Sequence, residues 1–297
     1  MRIERLAVVG VGLIGGSFAA ALRRAGIVDH VVGIGRGRGN LDDALRLGIV
    51  DEITNEPTSG VRDADFVLLA MPVGQMGAVM EAIGPVLAPH ASVTDAGSTK
   101  RDVVTGAYLH LRSALDRFVP AHPIAGSEKT GAAAASATLF VDRKVILTPL
   151  PENSAHAIAC VRDAWLACGA RVTQMNADEH DRTLGAVSHL PHLLAFALVD
   201  LIAGRPDAER LFGLAAGGFR DFTRIASSSP EMWRDICLAN RDALRGVLVD
   251  YRQRLDEVGR MLENADAAAL EQLLTRARDA RDAWLRGSGN GSNPGHR

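Results

Sequence analysis

Three short polar segments carry residue types that a hydrophobic core would not select and that can do chemistry. The first reads Asp95-Ala96-Gly97-Ser98-Thr99-Lys100, the second Ala121-His122-Pro123-Ile124-Ala125-Gly126-Ser127-Glu128, and the third Ser188-His189-Leu190-Pro191-His192. An imidazole titrates near pH 6.5, roughly, so a positioned histidine can take up or deliver a proton at cellular pH. His189 and His192 are three apart, which puts both on one face of a helix. Pro191 between them lacks an N–H and is expected to kink or begin that helix. Two histidines at helical spacing also suit a metal, but no third ligand is evident and no metal is expected. Plainer roles exist for each group: Ser98 as a helix cap at a strand–helix junction, and His122 as a turn residue bonding its own backbone. A fourth stretch, GGFRDFTRIASSSPEMWRDI, sets Arg220, Arg224 and Arg234 beside Phe219, Phe222 and Trp233. Such arginines default to surface ion pairs, but these aromatic neighbours favour a partly apolar, cationic pocket.

The elements that must position these groups are readable from apolar periodicity. Arg5–Gly10, His30–Ile34, Asp65–Ala70, Ala91–Asp95, Arg117–Ala121 and Lys144–Leu147 read as buried strands, with Arg171–Met175 a further candidate. Amphipathic stretches at Ser17–Ala25, Asn40–Leu47, Gln75–Leu87 and Ser154–Cys168 lie between several of them. Alternation of this kind builds right-handed βαβ units and a parallel sheet covered on both faces. Past Asn176 the pattern turns helical: Asp178–Ala203, Ala208–Leu214, Gly218–Ile225, Pro230–Glu263 and Ala265–Leu285. The expected architecture is an α/β Rossmann domain with a mostly parallel, doubly wound sheet over residues 1–175, then an all-α dimerisation domain over 176–286. Residues 287–297 (GSGNGSNPGHR) hold no apolar side chain and are expected to form a disordered tail. In open α/β sheets, ligands sit at the carboxyl ends of the strands, where the first two polar segments fall.

Gly10-Val11-Gly12-Leu13-Ile14-Gly15 follows the first strand and opens the first helix. The first glycine permits a tight turn, the second lets the backbone approach a pyrophosphate, and the third lets helix and strand pack closely. The helix N-terminus adds free N–H groups and a positive dipole end, so a dinucleotide is expected here. Met71 and Pro72, just after the strand candidate at 65–70, are placed with this site, as is Ser98. An acid at the end of the second strand would select NAD by bonding the ribose 2′-hydroxyl. The chain instead reads Gly35-Arg36-Gly37-Arg38. Two guanidinium groups where a 2′-phosphate would lie favour NADP over NAD.

Composition narrows the function classes. The 297 residues carry 33 basic and 35 acidic side chains, a net charge of -2, which removes the electrostatic case for a nucleic-acid binder. Hydrophobic residues make up 47% and charged ones 23%, values that exclude disordered and coiled-coil classes. Cys160, Cys168 and Cys237 are odd in number and lack metal-ligand spacing, as expected in a reduced cytoplasmic protein. Met1–Leu22 superficially resembles a secretory leader, but its four glycines suit the nucleotide turn better. Neither a membrane span nor a nucleic-acid partner is expected. Leu238, Leu244, Val247, Leu248, Tyr251, Leu255, Val258, Met261 and Leu262 stripe the last helices, a face that a second copy of the chain would complete.

Taken together and in order, GVGLIGGS, DAGSTK, HPIAGSE, SHLPH and FRDFTRIASSSPEMWRDI resemble the prephenate/arogenate dehydrogenase family of tyrosine biosynthesis over Arg5 to about Leu285. The resemblance implies oxidative decarboxylation of prephenate to 4-hydroxyphenylpyruvate, or of arogenate to tyrosine, with NAD or NADP. It further implies that His122 is the catalytic base, that Ser98 orients the substrate hydroxyl and that Arg224 grips a substrate carboxylate. His189 and His192, with Ser188, would meet the substrate side chain, Glu128 would stand at the pocket entrance, and Trp233 would arrive from the partner of a homodimer. Two other readings share the first motif: a β-hydroxyacid or imine-class Rossmann dehydrogenase, and a non-catalytic NADPH-sensing protein.

Overall fold

The computed structural model describes residues 1–126 and 129–289. Strands β1 (Ile3–Val9), β2 (Val28–Ile34), β3 (Glu52–Thr54), β4 (Phe66–Leu69), β5 (Ser92–Asp95) and β6 (Phe118–Val119) form one sheet in the order β3-β2-β1-β4-β5-β6. Every pairing in it is parallel. Successive residues of β1 feed opposite faces: Leu6 and Val8 join one buried cluster, Ala7 and Val9 the other. All four residues of β4 (FVLL) are buried, as a strand covered on both sides requires. Helices α1 (Leu13–Arg24), α2 (Arg38–Arg46), α3 (Pro57–Gly60), α4 (Met76–Ile83) and α5 (Arg101–His110) supply that cover. The strand order reverses between β1 and β4, so a crevice opens beyond their carboxyl ends, where such sheets take ligands.

A second, three-stranded sheet has the order β7-β8-β9, from β7 (Ala121–Pro123), β8 (Lys144–Leu147) and β9 (Arg171–Gln174). β7 runs antiparallel to β8, with His122 opposite Ile146, and β8 runs parallel to β9. Arg117–Ala121, expected as one strand, is therefore two strands in two sheets, split at Pro120, whose missing N–H interrupts a ladder. α6 (Ala155–Ala167) begins with Ser154 capping Ala157 N–H and buries Trp165 against Phe18, with ring centroids 4.7 Å apart. The three-residue edge strand β3 and helix α5 were not anticipated from periodicity.

Beyond β9 the elements are helical: α7 (Ala177–Leu184), a π-turn at Gly185–His189, α8 (Leu190–Ala203), α9 (Ala208–Gly213), α10 (Gly217–Thr223), α11 (Pro230–Ala239), α12 (Arg241–Glu263) and α13 (Ala267–Gly289). Pro191 falls in the first turn of α8, where the π-turn before it absorbs the missing donor. The expected single helix 230–263 is broken at Asn240. α13 runs through Gly289, past the expected start of the tail, and the rest of that tail lies outside the described residues. By compactness the chain forms two units, Met1–Leu244 and Arg245–Arg297. Helices α7 to α11 fall in the same compact unit as the sheets. The run Ala177–Ala203 is long and apolar enough to cross a membrane by length and composition, with a mean hydropathy of 1.6 in its best window. It nevertheless buries His180, Asp181 and His189.

Candidate active site

The glycine turn fits a dinucleotide. Gly10 has φ +98°, a left-handed conformation that side chains rarely adopt, and a Cβ there would lie 2.6 Å from the Ala70 carbonyl oxygen. A Cβ on Gly15 would lie 2.2 Å from the Gly10 carbonyl, so only glycine lets α1 start against β1. At Gly12, by contrast, a Cβ would meet nothing within 4 Å: the space is left open above the first turn of α1, where Leu13 and Ile14 begin the helix. Asn40 of α2 braces the turn, donating to the Val11 carbonyl at 2.6 Å. Met71, two residues past the end of β4, sets its backbone nitrogen against Gly10, and Pro72 precedes a short turn at Val73–Gln75. Arg36 is exposed just after β2, and no acid stands there. Arg38 opens α2 and pairs with Asp42 at 3.1 Å, so part of its charge is already answered within its own helix.

The DAGSTK segment leaves the carboxyl end of β5 and is fastened by its own buried ions. Asp95 and Lys100, neither exposed at all, form an ion pair. Asp95 also accepts the Gly97 N–H at 2.7 Å and the Ala121 N–H at 3.0 Å, while Lys100 Nζ donates to the Ala121 carbonyl at 2.8 Å. This cluster ties β5 to the residue before His122. Ser98, half-buried between these anchors, does not cap α5. Asp181 of α7 does so instead, its Oδ1 accepting the Lys100 N–H at 2.8 Å and its Oδ2 the Arg101 N–H at 3.0 Å. Ser98 is left to a role other than capping.

His122 lies within β7 rather than in the loop after it, and it is buried. Its Nδ1 faces His180 Nε2 at 2.8 Å, and His180 Nδ1 faces Asp181 Oδ1 at 2.8 Å. Burial above all, then the nearby His180, Lys100 and His189, push the His122 imidazole well below its ordinary pKa. Burial lowers His180 as well, against the pull of Asp181. Burial alone would raise the Asp181 carboxyl, but its hydrogen bonds from His180, Arg101 and Lys100 hold it below the usual carboxylate range. His180 and Asp181 were not singled out in the sequence, where ADEHDR reads as a solvated first turn.

The SHLPH segment closes the other side. His189 is buried, its Nδ1 3.0 Å from Asn240 Nδ2, and burial lowers its pKa to about 4. Its Nε2 has no hydrogen-bond partner of ordinary geometry, although the Ser98 backbone is near enough to act on it. His192 stacks on Trp233 at 3.8 Å between centroids and bonds the Ser188 carbonyl through Nδ1 at 2.9 Å. Trp233 also meets His189 edge-on at 6.1 Å, so the two histidines share one wall, as their spacing predicted. Trp233 packs against His189 and His192 of its own chain. Arg224 follows α10, is exposed, and is close enough to His192 to lower its proton affinity further, after burial. Glu128 lies outside the described residues. An apolar cavity of about 300 Å³, lined by Leu193, Phe196, Pro230, Trp233, Arg234 and Cys237, shares Trp233 but none of the histidines. Among the described residues, no group of three or more His, Cys, Asp and Glu side chains is arranged for a metal.

Known proteins resemble the chain over nearly its whole length. A family model described as prephenate dehydrogenase, nucleotide-binding domain, matches residues 18–174, and one described as prephenate dehydrogenase, dimerization domain, matches 176–276. The cyclohexadienyl dehydrogenase of Zymomonas mobilis is 36% identical, with 94% of this chain and 95% of that protein covered. The prephenate dehydrogenase of Bacillus subtilis is 37% identical, with coverage of 94% and 76%. The crystal structure of prephenate dehydrogenase from A. aeolicus in complex with hydroxyphenyl propionate and NAD+ superposes with a TM-score of 0.88 at 35% identity, covering 95% of this chain and 99% of that one.

Proposed function

The chain belongs to the prephenate dehydrogenase family, and from that premise we propose that it oxidatively decarboxylates prephenate, arogenate or both in tyrosine biosynthesis, with NADP as the preferred cofactor. The observation that carries this reading is a buried, neutral His122 fastened beside the Ser98 loop at the carboxyl ends of the sheet. A neutral imidazole accepts a proton from a C4 hydroxyl at cellular pH, and burial above all, then His180 and Lys100, keeps it from being protonated beforehand. Ser98 holds that hydroxyl toward His122. Arg224 anchors a substrate carboxylate as a fork of donors, which fixes C4 in place. His192, Ser188 and the Trp233 face line the substrate side chain, and His189 closes the interior side. Gly10, Gly12, Gly15, Leu13, Ile14, Met71 and Pro72 would hold a nicotinamide dinucleotide, which supplies the hydride acceptor for C4. Loss of the ring carboxylate as carbon dioxide leaves an aromatic product and needs no metal.

NADP preference rests on Arg36 and on the missing acid after β2; the Arg38–Asp42 pair makes Arg36 the principal contact. A homodimer through the helical half accounts for its bare apolar side chains: Leu201, Leu214, Leu238 and Leu262 are each more than 60% exposed in the single chain. The same pairing explains why Ala177–Ala203 is apolar on its outer side without spanning a membrane, and it fits a cytoplasmic enzyme. Steady-state rates with prephenate and arogenate, each with NADP+ and NAD+, test the reading through absorbance of the reduced nicotinamide. His122→Asn should lower kcat by roughly 10²–10⁴-fold; near-normal turnover in that variant would remove His122 as the base.

A further inference from the structure

We propose that Asp181 sets the proton positions of both buried histidines at this site, through its carboxylate for His122 and through its backbone carbonyl for His189. As a result His122 presents a bare Nε2 that accepts a proton, while His189 presents an Nε2–H that donates a hydrogen bond. The inference rests on the reading of His122 as the base. It assigns the reacting atom and makes His180, Asp181 and Asn240 positioning residues.

The argument starts from groups whose donor or acceptor character is fixed. Backbone N–H groups only donate, so Asp181 must accept from Lys100 N on Oδ1 and from Arg101 N on Oδ2. An ionised carboxylate offers no proton, so the His180 Nδ1 that faces Oδ1 at 2.8 Å has to be the donor. A neutral imidazole carries one N–H, so His180 Nε2 is then an acceptor. His122 Nδ1, 2.8 Å from it, must donate, and the second nitrogen of His122 is left with a free lone pair. When His122 takes up a proton, Nδ1–H stays bonded to His180, and the Asp181 charge stands one ring further along to stabilise the cation.

The second branch runs the other way. The Asp181 carbonyl only accepts, so the Asn240 atom 2.7 Å from it is the amide nitrogen. That nitrogen also lies 3.0 Å from His189 Nδ1, which must accept, and the His189 proton is forced onto Nε2. That Nε2 is buried without an ordinary partner, on the side where Ser98 lies. A donor and an acceptor of one residue type therefore meet at one site, distinguished only by which part of Asp181 they answer to.

Nitrogen-resolved NMR of the imidazoles in the full-length labelled protein reads the proton positions directly, with His122→Asn and His189→Asn used to assign the signals. At neutral pH the wild-type protein should show His122 protonated on Nδ1 and His189 on Nε2. Asp181→Leu removes the oxygen that accepts from His180 Nδ1, so neither ring is held to one tautomer: His122 should lose its exclusive Nδ1 protonation, and kcat should fall by roughly 10²–10⁴-fold with a much smaller change in KM. His180→Gln, whose carbonyl can still accept from His122 Nδ1, should keep at least about tenfold more kcat than His180→Leu. A wild-type His122 protonated on Nε2, a wild-type His189 protonated on Nδ1, or a His122 tautomer unchanged in Asp181→Leu, overturns the proposal. Should Asp181→Leu fail to fold, the wild-type spectrum and the two His180 variants still decide it. A protein with the expected tautomers but no turnover of prephenate or arogenate would sink the proposed reaction and leave this assignment standing.

Discussion

Acidification from about pH 7 to about pH 5 should cost this protein about 2 kcal/mol of folding stability through His189 alone, one of three histidines (His122, His180 and His189) buried in neutral form. A histidine whose folded pKa is depressed binds fewer protons folded than unfolded between the two values. Its contribution is intact above the unfolded pKa of 6.5 and is lost as pH falls toward the folded one. His189 gives the magnitude, with a folded value of about 4 against 6.5. At about pH 5 the unfolded ring is almost fully protonated and the folded ring largely is not, a difference of about 1.5 log units, or about 2 kcal/mol. Below about pH 4 the loss from this one ring approaches about 3 kcal/mol. His122 and His180 act in the same direction, while Asp95, whose carboxyl pKa is raised by burial, binds its proton more tightly in the folded state and acts against them. Against a domain stability of roughly 5–15 kcal/mol this is a large fraction. Urea midpoints followed by Trp165 and Trp233 fluorescence, at fixed protein concentration so that subunit association does not intrude, would measure it. In His189→Gln the dependence between pH 7 and pH 5 should flatten by the equivalent of about 2 kcal/mol. Equal midpoints at the two pH values in the wild-type protein would refute the burial argument.

Lys100→Met leaves Asp95 as an unpaired buried charge and should destabilise the protein by about 3–5 kcal/mol, measured by thermal or urea unfolding. Replacing both partners, with Asp95→Asn added, should recover much of that loss. Gly12→Ala meets no protein atom within 4 Å, so its melting temperature should match the wild type while the Kd for the dinucleotide rises about tenfold or more, a cost of about 1.4 kcal/mol. Equal loss of melting temperature and of binding would show that the space serves the fold. Arg36→Asp should swing the ratio of kcat/KM for NADP+ over NAD+ toward NAD+, because a carboxylate repels a 2′-phosphate and bonds a 2′-hydroxyl. An unchanged ratio would move the source of cofactor preference elsewhere.

The features legible in the sequence are those whose cause is local. Gly10 and Gly15 are required by contacts with the strand end next to them, and the apolar runs of β1, β2, β4 and β5 follow from burial on both faces. Helix α5 (RDVVTGAYLH) was not legible, since Val, Thr and Gly weaken helical propensity and its first turn is capped by Asp181, 80 residues further on. The edge strand β3 offers only Ile53 as an apolar residue. His122, Ser98, His189 and His192 could be picked out because their segments stand in polar loops or at helical spacing. Lys100 stands in the same loop as Ser98, yet nothing local marks it as wholly buried.

His180, Asp181 and Asn240 escaped for a deeper reason. A charged helix start such as ADEHDR looks solvated wherever it occurs, and nothing local marks one carboxylate as buried. What buries Asp181 is the convergence of the Lys100 and Arg101 N–H groups from one helix with His180 from its own, a meeting that exists only once the sheets have formed. The π-turn at Gly185–His189 belongs to the same logic. It lets one helical run bury His180 and His189 among polar partners and then present His192 to Trp233. A π-turn costs regular hydrogen bonding, and it persists where a site demands the altered side-chain direction. Periodicity can place residues on a face, but only the second layer of polar contacts determines which nitrogen on that face is free to react.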